Sequence, residues 1–303
     1  MTSGEIPYKP KGTPVIEFVE YNGAKFKTVS WLVPEGIDYK GKIICVHGFA
    51  EHSEIYYQIC DHLSQNGYEL FFFDQRGAGD TSPGNLIGKT DEYHTFNDLD
   101  YFIKRNLDAR KDADSTEQFF LMGHSMGGAI VLNYGIRGKY KDHIKGIISS
   151  APLIELHPET QVNIVVRVLT PVINKLVPNL KIDSKLKWDY ITSDPEWKKY
   201  LMSSDKLIGT VRQFHDMFAR GEALLKKEYA SKFSDKIALL IVHSPIDKIN
   251  DYQGSAKVFD NIPEVVDKKL QPIEDAQHSL FIEREELFNK TLDICLEFLN
   301  SHS

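Results

Sequence analysis

The sequence predicts an α/β fold, a mostly parallel central sheet with helices on both faces. Two observations predict it. Short β-branched or aromatic runs alternate with longer stretches of helical period, and the central runs are apolar at almost every position. A strand covered on both faces needs apolar residues throughout, whereas a half-exposed one alternates apolar with polar. No internal repeat recurs along the 303 residues, and this length admits two domains or one α/β domain with an insertion.

The elements follow in order. VIEFVEY and FKTVSWLVP flank Asn22 and Gly23, a turn pair that predicts an antiparallel hairpin at one sheet edge. KIICVHG (42–48), a helix near 55–65, YELFFFD (68–74), a helix near 95–109, QFFLMGHS (118–125), a helix over 126–137 and IKGIISSA (144–151) continue the alternation. The pattern breaks after Ala151. From Pro152 to about Ser234 no strand-like run occurs, and helix formers are interrupted by Pro158, Pro171, Pro178 and Pro195. It resumes with KIALLIVHS (236–244), a helix near 252–261, KKLQPIE (268–274) and an amphipathic helix near 284–300. Residues 1–151 and 236–303 are therefore expected to form the core, and 152–235 a helical cap inserted before the last strands, over the carboxyl edge of the sheet.

Composition narrows the function. Lys and Arg number 36 against 43 Asp and Glu, a formal charge of -7, and no basic run is long enough to track a phosphate backbone, so nucleic acid is not expected as a partner. Cys45, Cys60 and Cys295 are widely spaced among apolar neighbours, which is neither a disulfide framework nor a zinc site and suits a reducing compartment. The opening MTSGEIPYKPKGTP lacks the apolar stretch of a signal peptide, and no apolar run reaches spanning length. The expected location is cytoplasmic, with only peripheral membrane contact. Inside the cap, VNIVVRVLTPVINKLVP (162–178) carries a single polar stripe of Asn163, Arg167, Thr170 and Asn174. It reads either as a buried helix or as an apolar surface turned toward lipid or an acyl tunnel.

The chemistry centres on GHSMG, Gly123 to Gly127, between an apolar strand and a helix. This is G-x-S-x-G in a strand-turn-helix context, where a sharp turn presents the Ser125 hydroxyl at the sheet edge and small flanking residues permit close approach. A serine hydroxyl is a weak nucleophile near neutral pH, so it needs a base, and the base needs a carboxylate to hold its tautomer. Asp247, in the turn SPID just after a strand, is the expected acid; Asp251 is its rival, better placed as a helix N-cap. His278, after the final strand, is the expected base, giving the chain order Ser, Asp, His. The oxyanion donors are expected to be the main-chain N–H groups of Met126 and Phe49. His47, Asp74 and Arg76 are expected to shape neighbouring loops. GNLIGKT (84–90) is one residue short of a P-loop and follows a turn, so nucleotide binding is not expected.

HGFAEHS, FDQRGAGDTS, GHSMGG, HSPID and DAQHS, in this order and spacing, resemble the monoglyceride lipase branch of the serine α/β-hydrolases, most of all its yeast members. The resemblance runs from about residue 15 to 300 and includes LVPNLKID in the cap. It implies the α/β-hydrolase fold and hydrolysis of monoacylglycerols to glycerol and fatty acid at membranes or lipid droplets. Neither cofactor nor metal is implied. The same likeness gives Ser125, Asp247 and His278 as the triad, Phe49 and Met126 as the oxyanion hole, and Glu51 as a headgroup contact. Three positions depart from the pattern. Ala50 and Ser244 stand where the family commonly has Gly, and Ile55 stands where mammalian relatives pair Arg with the residue matching Glu51. The same triad would also serve a lysophospholipase or a broad carboxylesterase, and a non-catalytic lipid-binding protein is the remote alternative.

Overall fold

The computed structural model describes residues 5–110, 117–161, 172–204 and 206–303. Eight strands make the central sheet: β1 (Val15–Tyr21), β2 (Ala24–Trp31), β3 (Gly41–Val46), β4 (Tyr68–Phe73), β5 (Phe119–His124), β6 (Ile144–Ser150), β9 (Ala238–His243) and β10 (Lys268–Pro272). Their spatial order is β1-β2-β4-β3-β5-β6-β9-β10. β1 and β2 pair antiparallel through the turn at Asn22 and Gly23, whose φ angles of 45° and 75° suit the expected hairpin, and β2 runs antiparallel to β4. All later pairs are parallel. This is the α/β-hydrolase architecture.

Alternation along each strand divides the core in two. Ile43, Cys45, Leu70 and Phe72 face one layer with α1 (Tyr57–Ser64) and α9 (Glu285–Ser301). Their neighbours Ile44, Val46, Phe71 and Phe73 face the other, with α2 (Glu92–Ala109), α3 (Met126–Arg137) and α8 (Tyr252–Asn261). Helices on both faces explain why these strands are apolar throughout. Because β3, β5, β9 and β10 are parallel, their carboxyl ends share one edge, and the loops that follow them carry Phe49, Ser125, Asp247 and His278.

The segment between β6 and β9 corrects one expectation. Beside α4 (Trp188–Ile191), α5 (Pro195–Ser204), α6 (Val211–Leu224) and α7 (Lys227–Ala230), it holds two strands, β7 (Lys181–Asp183) and β8 (Ile208–Thr210), paired antiparallel. Each is only three residues long, too short for an alternation to register in the sequence. Of the apolar stretch 162–178, residues 162–171 lie outside the described residues; 172–176 are helical. Among the described residues no helix is long and apolar enough to cross a membrane.

Candidate active site

β5 ends at His124 and α3 begins at Met126, so Ser125 alone makes the turn, with φ 53° and ψ -115°. A non-glycine residue with positive φ is strained and persists only where its surroundings hold it. Here Ser125 N donates to Ser150 O at 2.8 Å, while Ser125 O accepts from Leu153 N at 2.9 Å. The flanking glycines have a steric reason. A Cβ on Gly123 would lie 2.3 Å from Gly127 O, and one on Gly127 would lie 2.0 Å from Val46 O. The first N–H groups of α3 have no intrahelical acceptor, which leaves that of Met126 at the mouth of the turn.

His278 Nδ1 lies 2.7 Å from Asp247 Oδ2. Asp247 is buried, and its other oxygen accepts from Ile249 N at 2.7 Å and Asn250 N at 3.1 Å. Burial by itself would raise the carboxyl pKa, but the charge of His278 and the hydrogen bonds from His243 and His278 outweigh it and hold Asp247 well below the usual carboxylate range. An ionised Asp247 only accepts, so Nδ1 of His278 carries the proton and Nε2 is left for the cavity. That cavity is lined by Ser125, His278, Glu51 and Phe49 and by apolar side chains including Leu186, Trp188 and Leu207. The three predicted side chains are thus brought together: Asp247 on His278, and His278 with Ser125 on one cavity.

Other predicted residues fall as follows. Asp251 caps α8 through Gln253 N and does not compete for His278. Glu51 Oε2 accepts from Gly48 N at 2.7 Å and from the Tyr56 hydroxyl, so its carboxylate braces the β3 loop while one edge reaches the cavity. Ile55 is buried in the core layer of α1. Ala50 has φ 57°, a left-handed backbone of the kind that favours Gly. The Ser244 hydroxyl donates to Ala276 O at 2.6 Å, joining the Asp247 loop to the His278 loop. His47 Nε2 accepts from Gln75 N at 2.8 Å and Nδ1 meets Gly48 O at 2.8 Å; burial, only partly opposed by Asp74, lowers its pKa to about 4 and keeps the ring neutral. Asp74 accepts from Ser53 N and Asp80 N, and Arg76 holds Asp98 through two bonds of 2.9 and 3.0 Å.

Three further residues stand at the site. Asn250 Nδ2 donates to Ala151 O at 2.8 Å and lies 3.5 Å from Ser125 Oγ. His243 Nε2 shares Asp247 Oδ2 at 3.1 Å, with Nδ1 facing the Ser255 hydroxyl at 2.8 Å. His124, the variable residue of G-x-S-x-G, sits between Ser150 and Ser279 at 3.2 Å each, its ring 4.8 Å from that of His278. Burial and the neighbouring His278 depress its pKa well below the ordinary value. Only its place beside Ser125 signalled His124.

The family described as "Serine aminopeptidase, S33" (Hydrolase_4) matches residues 38–285. The monoglyceride lipase of Saccharomyces cerevisiae is 42% identical over 306 aligned residues, covering 98% of this chain and 97% of that protein. A crystal structure of a soluble variant of the S. cerevisiae monoglyceride lipase, in complex with a substrate analog, superposes with a TM-score of 0.92 at 41% identity, covering 99% of each chain. The monoacylglycerol lipase of Paleococcus ferrophilus shares the fold, with a TM-score of 0.76 at 24% identity over 92% of this chain and 99% of that one. Identity at this level, sustained from end to end, goes beyond a shared architecture: the chain belongs to the monoglyceride lipase family of serine α/β-hydrolases.

Proposed function

We propose that this chain hydrolyses monoacylglycerols to glycerol and a fatty acid through an acyl-enzyme on Ser125. The observation that carries the reading is the Asp247–His278 bond of 2.7 Å, made at the wall of the apolar cavity that Ser125 also lines. In this scheme His278 Nε2 takes the Ser125 proton as Oγ attacks the ester carbonyl. The N–H groups of Phe49 and Met126 receive the oxyanion. As the tetrahedral intermediate collapses, His278 returns the proton to the departing glycerol oxygen, and water then attacks the acyl-enzyme by the same route. Asp247 stays ionised throughout, steadying the imidazolium. Glu51, with one edge on the cavity, is the proposed hydroxyl contact for glycerol.

Residues 152–235 act in this proposal as the cap, supplying Leu186, Trp188 and Leu207 to the acyl wall. Each methylene buried there is worth about 0.8 kcal/mol, so chain length governs selectivity. Peripheral attachment to a membrane or lipid droplet is part of the reading. Val172, Leu176 and Leu180 are exposed while the polar Asn174 between them is buried. Turnover of a monoacylglycerol, a lysophosphatidylcholine and a soluble short-chain ester, by the native chain and by Ser125→Ala, tests the proposal. Monoacylglycerol is expected to be the best substrate and Ser125→Ala to be inactive. Preference for lysophosphatidylcholine would move the activity to a lysophospholipase, and an active Ser125→Ala would end the serine mechanism.

A further inference from the structure

Glu283 is a buried carboxylate five residues past His278, and the proposed mechanism makes no use of it. Its Oε1 accepts from Gln277 N at 2.6 Å and from Ser193 N at 3.2 Å. Oε2 accepts from the Ser193 hydroxyl, from Ser193 N at 3.3 Å and from Arg284 N at 3.2 Å. Removing a carboxylate from water is tolerated only where donors replace the lost solvent, and here main-chain N–H groups supply most of them. Those donors come from two places distant in sequence. Gln277 immediately precedes His278, whereas Ser193 lies in the inserted segment just past α4.

Around this carboxylate the two stretches are laced together. His278 N donates to Tyr190 O at 3.1 Å, Ser279 N to Ile191 O at 2.8 Å, and the Thr192 hydroxyl to Ile282 O at 2.7 Å. Trp188 and Ile191 of the same α4 line the cavity above Ser125. A shift of the acyl wall at α4 is therefore transmitted to the main chain of His278, and Glu283 holds the junction on both sides.

We propose that Glu283 is a positioning residue for the proposed reaction, fixing the backbone on either side of His278 against the inserted segment so that the imidazole stays aimed at Ser125. A carboxylate is required because its oxygens face donors on both sides. Oε1 takes N–H groups from both stretches; the neutral amide of Gln keeps that acceptor more weakly and turns its NH₂ toward the N–H groups of Ser193 and Arg284, which loosens the junction. This role rests on His278 serving as the base.

The test is steady-state hydrolysis of a soluble short-chain ester by Glu283→Gln and Ser193→Ala, with urea unfolding of each variant and the rate of Ser125 labelling by a fluorophosphonate. Misplacing a catalytic group by about 1 Å typically costs on the order of 100-fold. Glu283→Gln is expected to lower kcat by about 10- to 100-fold, with KM within about twofold and labelling slowed in parallel. Ser193→Ala removes the hydroxyl that donates to Oε2 and accepts from Arg284 Nε at 2.9 Å but leaves the main-chain donors of Ser193 and Gln277 on Glu283, and is expected to lower kcat less than Glu283→Gln does. A kcat for Glu283→Gln within twofold of the native value, or one that falls only as far as the unfolded fraction rises, overturns the role. If Ser125→Ala is inactive in that same assay, the triad reading survives such a failure; if it is active, both fall together.

Discussion

Asn174 Oδ1 accepts a hydrogen bond from Arg212 Nε at 2.8 Å, which turns Asn174 inward and leaves Val172, Lys175 and Leu176 facing outward. Exposed apolar side chains beside a lysine suit the surface of a lipid layer, where the chain of Lys175 reaches the polar boundary. Leu176→Asp is expected to reduce flotation of the protein with neutral liposomes while leaving turnover of a soluble ester within about twofold, since the exposed side chain does not line the cavity of Ser125. With a net charge of -7, attachment is expected to be hydrophobic and to persist between roughly 0.05 and 0.5 M salt. Release at high salt would point to ionic contacts instead.

Asp247→Asn keeps an acceptor for the N–H groups of Ile249 and Asn250 but removes the negative charge that His278 and His243 share. The expected result is a fall in kcat on the order of 10⁴-fold with KM little changed, measured on the monoacylglycerol and on a short-chain ester. A loss under tenfold would show that Asp247 does not orient the base.

Ala50 carries a left-handed backbone, φ 57°, which costs an L-residue about 1 kcal/mol and glycine almost nothing. Ala50→Gly is expected to stabilise the fold by about 0.5 kcal/mol, the rest of the relief being offset by the greater freedom of glycine in the unfolded chain. The urea midpoint reads this directly. A destabilised variant would mean that the alanine methyl makes packing contacts worth more than the strain.

Ser244→Gly removes the 2.6 Å bond to Ala276 O, a link between the Asp247 and His278 loops. The loss is expected to be about 1 kcal/mol in stability, with a several-fold fall in kcat. Equal kcat at full folding would confine Ser244 to a structural part.

His47 sets a pH limit on stability. Its folded pKa of about 4 lies below the unfolded value of about 6.5, so between these two the unfolded chain binds the extra proton. Stability is therefore whole above about pH 6.5 and declines as pH falls toward 4, by about 3 kcal/mol from this ring. His124, depressed for the same reason of burial, adds in the same direction. Urea unfolding at pH 7 and pH 5 checks the sign, and His47→Gln is expected to flatten the dependence.

What was legible in the sequence was local. The hairpin at Asn22 and Gly23, the strand alternations, the turn around Ser125 and the cap at Asp251 are each set by a few adjacent residues whose backbone or side-chain chemistry admits little else. β7 and β8 left no signal because three residues make no period, and their pairing joins positions more than twenty residues apart. Glu283 reads as one more charge at the start of an amphipathic helix; only the folded chain brings Ser193 and Gln277 to it. Ala50 shows the converse limit. The departure from glycine was visible, yet whether the backbone demanded a positive φ depended on the loop that Glu51 and Tyr56 close.

The carbonyls of Tyr190 and Ile191 that receive the N–H groups of His278 and Ser279 also bear on how such a protein can be redesigned. Excising residues 152–235 would not yield a minimal esterase with an open mouth, because the imidazole's own loop would be left with two dangling donors. A transplant of the segment between β6 and β9 from another scaffold would have to bring an equivalent pair of acceptors. Swaps that preserve only the greasy lining, and neglect those two oxygens, are expected to yield proteins that gather substrate and turn it over slowly.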